Sequence, residues 1–346
     1  MRRNDSERRP ERAGERATDL VADGRRGRGP DGLPAPALPG SARPRRIRPM
    51  AKDHTLLDFQ AAAADPIDAQ WGTHLLDVDA YLARVGHPGP RSPSTAALFA
   101  LHRAHKETVS FENVDVALGR EVSLELPDVQ RKLVTAGRGG YCFEHNLLFA
   151  AALERLGLSV TRLLARVRQG RSTVRYRAHT TLLVIADGEL FLADVGFGAE
   201  GLLEPVPLVD GATSTVGGFR WQVVREDDQW VLRTLRSDGW FDLYSFRLER
   251  HHSVDFDVSN YYTAHHPRST FTGKLVAMRG DAESQQTLTN STLQTRHADG
   301  RTDLAQLSGE EAVRALRETF AIRLEEPDAL RLEQLLSTTF RSRQEA

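Results

Sequence analysis

The run Arg138-Gly-Gly-Tyr-Cys142-Phe-Glu-His-Asn146 is followed by Leu147, Leu148, Ala151, Ala152 and Leu156 at helical spacing, and Gly157 closes it. A glycine pair followed by an apolar face of helical period predicts a sharp turn into a helix, with Cys142 at its N-terminus. A thiol there faces backbone N–H groups and the positive end of the helix dipole, which favour thiolate and so a nucleophile. A buried structural thiol is the plainer alternative. Against it stand Gly139 and Gly140, which permit a backbone that approaches a ligand closely, more than core packing alone requires.

Outward from this helix the texture divides. From about 75 to 157 the pattern is helical: Ser94 or Thr95 caps a segment with Leu98, Leu101 and His105 on one face, and Leu126–Ala136 gives a short helix ending at Gly137. From about 159 to 306 it reads as strands: Ser159–Val167, Ala178–Ala186, Glu189–Val195, Phe219–Arg225, Trp230–Leu235, Phe241–Leu248, then further short ones. A capping box, Ser308-Gly-Glu-Glu311, opens a helix to about Phe320, and Pro327 opens a last one. Helices, then strands, then a mixed tail make an α+β chain of several parts.

The chain has 346 residues and a net charge of -1. Residues 1–49 hold 13 Arg against 7 Asp and Glu, so the remainder is mildly acidic and exerts no general pull on nucleic acid. Those 49 residues also carry 7 of the 16 prolines and no apolar period. They read as a disordered extension, or as an upstream misassigned start with Met50 the initiator, and not as a secretory signal. With one cysteine no intrachain disulfide is possible, which favours a reducing compartment, the cytoplasm. Apolar runs such as Thr181–Ile185 fall far short of the roughly 20 residues a spanning helix needs, so no membrane is expected as a partner.

A thiolate nucleophile needs an imidazole and a group to orient it. Of 12 histidines, His179 is the informative one, because it lies on a hairpin whose geometry follows from its turn. Asp187-Gly188 favours a two-residue type I′ turn. Ala186 then pairs with Glu189, Asp194 lies opposite Thr181, and residues 179, 181, 194 and 196 share one face. His179 and Asp194 become diagonal neighbours within side-chain reach. A four-residue loop keeps this register, whereas a three-residue loop reverses one strand's faces and removes the contact.

These residues carry a resemblance. Val109-Ser-Phe-Glu-Asn113, the Arg138–Asn146 string, His179-Thr180, Asp194-Val-Gly-Phe-Gly198 and Asn260-Tyr-Tyr-Thr-Ala-His-His-Pro-Arg-Ser-Thr-Phe271 resemble the arylamine N-acetyltransferase family in order and spacing, over roughly 75 to 340. The resemblance implies a helical bundle over 50–158 carrying Cys142, a β-barrel over 159–265 carrying His179 and Asp194, and an α/β lid over 266–346, with a cysteine-protease-like Cys-His-Asp site. It implies a ping-pong acyltransferase: acetyl-CoA, a co-substrate, acylates Cys142, and an arylamine, arylhydrazine or N-hydroxyarylamine takes the acetyl group. His179 would hold the thiolate and accept the amine's proton, and Asp194 would fix the imidazole's tautomer. Arg138 would pair with Glu112 in support, Phe111 and Phe197 would wall the acceptor pocket, and Gly196 and Gly198 would let the thioester arm approach the backbone.

Two departures from the family pattern stand out: Ser110 where a proline is common, and Ala264-His265-His266-Pro267 where Ser-Thr-His-Pro is. Neither touches the triad; the second leaves acyl-donor and amine preference open. The pairs His251-His252 and His265-His266 do not make a metal site, since adjacent side chains on a strand point to opposite faces. Two further functions fit the same residues. One is an amide synthase closing an aryl-amine macrolactam from a polyketide acyl chain, and the other is a cysteine hydrolase.

Overall fold

The computed structural model describes residues 68–87, 91–171 and 173–344. The Arg- and Pro-rich extension, Met50 and the first residues assigned to the helical bundle lie outside them.

Two 3-10 turns over 68–75 lead into helix α1 (Val78–Val85) and α2 (Thr95–Thr108), the latter capped by Ser94, whose side chain accepts the Ala97 N–H. Leu98, Leu101 and His105 face inward, as their spacing demands. A two-residue strand β1 (Phe111–Glu112) and the short helices α3 (Val114–Ala117) and α4 (Leu126–Gln130) follow, α4 running on into a π turn. Gly137 then takes a left-handed conformation and ends the helix where it was expected to end. Next comes α5 (Cys142–Arg155), buried at every position from Cys142 to Leu153, which puts the thiol at the first turn of a core helix.

An eight-stranded antiparallel sheet follows: β2 (Ser159–Val167), β3 (His179–Ala186), β4 (Glu189–Ala193), β5 (Val206–Pro207), β6 (Thr213–Val216), β7 (Phe219–Glu226), β8 (Gln229–Arg236) and β9 (Gly239–Phe246). Its order is β5-β4-β3-β2-β9-β8-β7-β6, and contact between its edge strands β5 and β6 leaves a nearly closed barrel. Leu163, Leu192, Trp221, Leu232 and Tyr244 fill the interior, while Leu182, Val184 and Phe191 face out onto Leu98, Leu148 and Phe149 of α2 and α5. Both faces of β3 are therefore buried, and its apolar run is continuous.

The segment read as short strands beyond 248 holds a helix instead, α6 (Ser253–His265). Its exposed face carries Val254, Val258 and Tyr261 and its buried face Phe256, Asn260, Thr263 and Ala264, so apolar residues fall on both faces and the helical period is blurred. His252 precedes that helix and His265 ends it, which corrects the strand geometry assumed for the histidine pairs; His265 stacks on Tyr261 and His266 on Tyr262. The chain then builds β10 (Val276–Gly280), β11 (Ser284–Thr289), β12 (Thr292–His297) and β13 (Thr302–Gln306), a second sheet joined at one edge by β1. Helices α7 (Gly309–Glu318), opened by the Ser308/Glu311 capping box, and α8 (Glu326–Gln344) pack on it through Leu316, Phe320 and Leu332. No described helix is long and apolar enough to cross a membrane.

Candidate active site

The β3–β4 hairpin has the register its turn dictates. Asp187 and Gly188 both have positive φ (48° and 80°), and Ala186 pairs with Glu189 and Leu182 with Ala193. His179 Nε2 lies 2.6 Å from Asp194 Oδ2, with both side chains buried. This bond fixes Nε2 as the protonated nitrogen and leaves Nδ1 as the basic one. Both His179 and Cys142 line one cleft of about 1050 Å³, together with Phe111, Gly196, Phe197 and Phe271.

Several donors hold Asp194. Asn146, four residues after Cys142 on α5, donates to Asp194 Oδ1 (2.9 Å) and to the Thr180 carbonyl (2.6 Å), and its own Oδ1 accepts the Val195 N–H. The Gly196 N–H also donates to Oδ1. Behind them, His102 Nε2 accepts the Asp194 backbone N–H while Nδ1 donates to Leu203 O. Burial alone would raise the Asp194 carboxyl, but the charge of His179 and the donors His179, Asn146 and Tyr244 outweigh it and hold it at about 2. His102 is pushed down by burial to about 3 and stays neutral.

Cys142 departs from the simple dipole expectation. Burial pushes its thiol up, and the Asp194 charge adds to this; the N–H groups of Phe143 and Thr180 pull the other way with less effect. The helix N-terminus by itself therefore does not make the thiolate. A proton acceptor within the buried site would have to take the proton, and His179, bound to Asp194, lines the same cleft. The thiol makes a long contact, 3.6 Å, with the carbonyl of Ala178, the residue before His179.

The glycine pair has a structural cause. A Cβ at Gly139 would collide with the Ser110 carbonyl, because the chain entering β1 passes across this turn with the Glu112 N–H bonded to Gly140 O at 2.7 Å, and one at Gly140 would lie 2.7 Å from Glu144 Oε2 of α5. Below the turn, Arg138 Nε donates to Glu112 Oε1 (2.9 Å), and Lys132 bridges Asp115 (2.6 Å) and Glu144 (2.7 Å). Glu144 in turn accepts the Tyr141 N–H at the start of α5. Phe197 meets the His179 ring edge-on at 5.0 Å. Gly196 is pressed against α5: a Cβ there would lie 2.9 Å from Cys142 Cα and 2.8 Å from its carbonyl oxygen. Gly198 does not line the cleft, and the side of its Cα where a Cβ would stand is taken by Met278.

Asn146, His102, Lys106 and Tyr244 bear on this site without having been singled out in the sequence. Lys106 and His102 follow Leu98 at four-residue steps on the apolar face of α2, and a polar residue on such a face was the available signal. Among the described residues no group of three or more His, Cys, Asp or Glu side chains could hold a metal ion.

A buried thiol at a helix start, sharing a cleft with a carboxylate-braced histidine, defines a site suited to cysteine-centred acyl transfer. The N-acetyltransferase family profile matches residues 94–329, and the chain belongs to the arylamine N-acetyltransferase family, a family of transferases. It is 38% identical over 200 residues to an arylamine N-acetyltransferase of Escherichia coli K12, covering 58% of this chain and 71% of that protein. The crystal structure of the Nocardia farcinica arylamine N-acetyltransferase superposes with a TM-score of 0.74 at 38% identity, covering 78% of this chain and 97% of that one. The Mycobacterium marinum arylamine N-acetyltransferase in complex with CoA superposes with a TM-score of 0.71 at 30% identity, covering 76% and 99%.

Proposed function

We propose that this chain moves an acetyl group from acetyl-CoA, through a Cys142 thioester, to the nitrogen of arylamines, arylhydrazines or N-hydroxyarylamines by a ping-pong cycle. The observation that carries this reading is that Cys142 and His179 open onto one cleft while Nε2 of His179 is bound to Asp194. His179 Nδ1 takes the thiol proton as sulfur attacks the acetyl carbonyl. The tetrahedral intermediate collapses with cleavage of the carbon–sulfur bond to CoA, whose thiolate receives the proton. In the second half the amine nitrogen attacks the thioester carbonyl, His179 accepts a proton from that nitrogen, and the proton returns to the sulfur of Cys142. Backbone N–H groups around Cys142 would hold the oxyanion in each half.

Small-molecule sites usually enclose about 300–1,000 Å³, so a cleft of about 1050 Å³ is roomy enough for a thioester arm and a flat aromatic amine. The CoA complex of a solved relative supports the choice of donor. Phe111 and Phe197 supply apolar walls, and Arg138 with Glu112 supports the turn that carries the thiol. We assign the described residues up to 158 to the helical bundle, 159–265 to the barrel part, which ends in helix α6, and the described residues from 266 to the lid, the lid sheet borrowing β1 from the first part. A thiol that must stay reduced suits the cytoplasm.

Initial rates measured with acetyl-CoA and an arylhydrazine as both are varied test the cycle. Parallel double-reciprocal lines are expected. Intersecting lines would rule out a free acyl-enzyme, and turnover of acetyl-CoA at the same rate without amine would mark a hydrolase.

A further inference from the structure

Lys106, on α2, is only 6% exposed. Its Nζ donates to the carbonyl of Gly198 at 2.7 Å, and among the described residues it forms no ion pair. A buried ammonium without a carboxylate partner is costly, and methionine would fill the same space without a charge. What the ammonium adds to that bulk is the bond to Gly198 and a positive charge facing Asp194.

The bond falls where the chain needs an anchor. Gly196-Phe197-Gly198 is a three-residue segment with glycine at both ends and so little stiffness of its own. Its first residue is tied to Asp194 through its N–H, its middle residue sets an aromatic edge against the His179 ring, and its last has a φ of +89° and is held from one side by Met278 and from the other by Lys106.

We propose that Lys106 is a positioning residue for acyl transfer: its bond to Gly198 holds Phe197 against His179, so that losing the bond slows the reaction while leaving the protein folded. The inference rests on the acyl transfer proposed above. The groups around Lys106 sharpen the expectation. His102 and His105 share its helix and His145 lies on α5; burial pushes His102 and His145 down to about 3 and His105 well below its ordinary value, so all three are neutral above pH 5. Asp194, at about 2, stays charged. Burial lowers Lys106 to about 8, with the Asp194 charge resisting, so between pH 7 and 9 Lys106 alone in this group changes charge. A variant lacking only the lysine separates the Lys106 titration from every other pH-dependent step of the reaction.

The test compares wild type with Lys106→Met for acetyl loading of Cys142, kcat and KM for an arylhydrazine from pH 6.5 to 9.5, and thermal unfolding. With only four lysines in the chain, Lys106 can also be followed by NMR of the full protein carrying 13C-labelled lysine. We expect Lys106→Met to melt no lower than wild type, to load acetyl, to lose about tenfold in kcat/KM at pH 7, and to lack the alkaline decline that tracks the Lys106 resonance in wild type. A variant within twofold of wild type that keeps that decline would overturn the proposal. If the variant does not fold, wild type decides alone: activity must fall at the midpoint of the Lys106 resonance, and a mismatch of more than about one pH unit overturns the proposal. If wild type itself takes no acetyl group, the function fails instead, and the lysine resonance still reports the titration.

Discussion

His179 Nε2 and Asp194 Oδ2 are 2.6 Å apart, and Asp194 is itself held by His102 at its backbone N–H and by Asn146 at its carboxylate, from two different helices. The imidazole can therefore take only one tautomer. Asp194→Asn keeps the size of the side chain but can present its NH2 to Nε2 and reverse that tautomer. Single-turnover transfer should slow by roughly 10³–10⁴ with circular dichroism unchanged; a loss under tenfold would mean that the tautomer does not limit the rate.

The same pair predicts an acid limit. The Asp194 carboxyl is held at about 2, below its ordinary 3.8, so its stabilising contribution is complete above about pH 5 and is lost as pH falls through about 2. The contribution is about 2 kcal/mol. Urea unfolding of wild type and Asp194→Asn should differ most at pH 5, and the gap should narrow steadily as pH falls from 4 toward 2. A constant gap across that range would show that the carboxyl's protonation is not linked to folding.

Much of this geometry was legible in the sequence because one dipeptide controls it. Asp187-Gly188 adopts positive φ at both residues, and that turn fixes every pair back to Leu182–Ala193 and so brings His179 to Asp194. Cys142 was equally readable, since a glycine pair and an apolar helical face bracket it. Helix α6 was not, because Val254, Val258 and Tyr261 point to solvent while Asn260 and Thr263 point inward, bonded to the Val122 and Ser259 carbonyls. Strand β1, two residues long, has no periodicity to read. Lys106 escaped because its partner is a backbone carbonyl 92 residues away, and side-chain patterns do not register such contacts.

Arg138→Met leaves the fully buried Glu112 carboxylate without its guanidinium partner. Breaking such a pair should cost about 3–5 kcal/mol in urea unfolding. The double variant with Glu112→Gln should recover part of that loss. A cost below 1 kcal/mol would show that the Lys132 ammonium already compensates the charge.

Gly196→Ala would place a methyl group against the backbone of Cys142 and the Asn146 amide, 2.7–2.9 Å away, and that amide is pinned by its bonds to Thr180, Asp194 and Val195. Displacing the nucleophile by a fraction of an ångström should lower kcat about tenfold or more, with KM for the amine little changed. Raised KM at constant kcat would assign this glycine to substrate binding instead.

The central claim is that Cys142 carries the acyl group. Intact-mass measurement of wild type and Cys142→Ala after mixing with acetyl-CoA, followed by addition of an aryl hydrazine, tests it most directly. The account predicts a gain of one acetyl group on wild type alone, discharged when the hydrazine is added. A folded wild type that gains no acetyl group, or a Cys142→Ala variant that gains one, would contradict it.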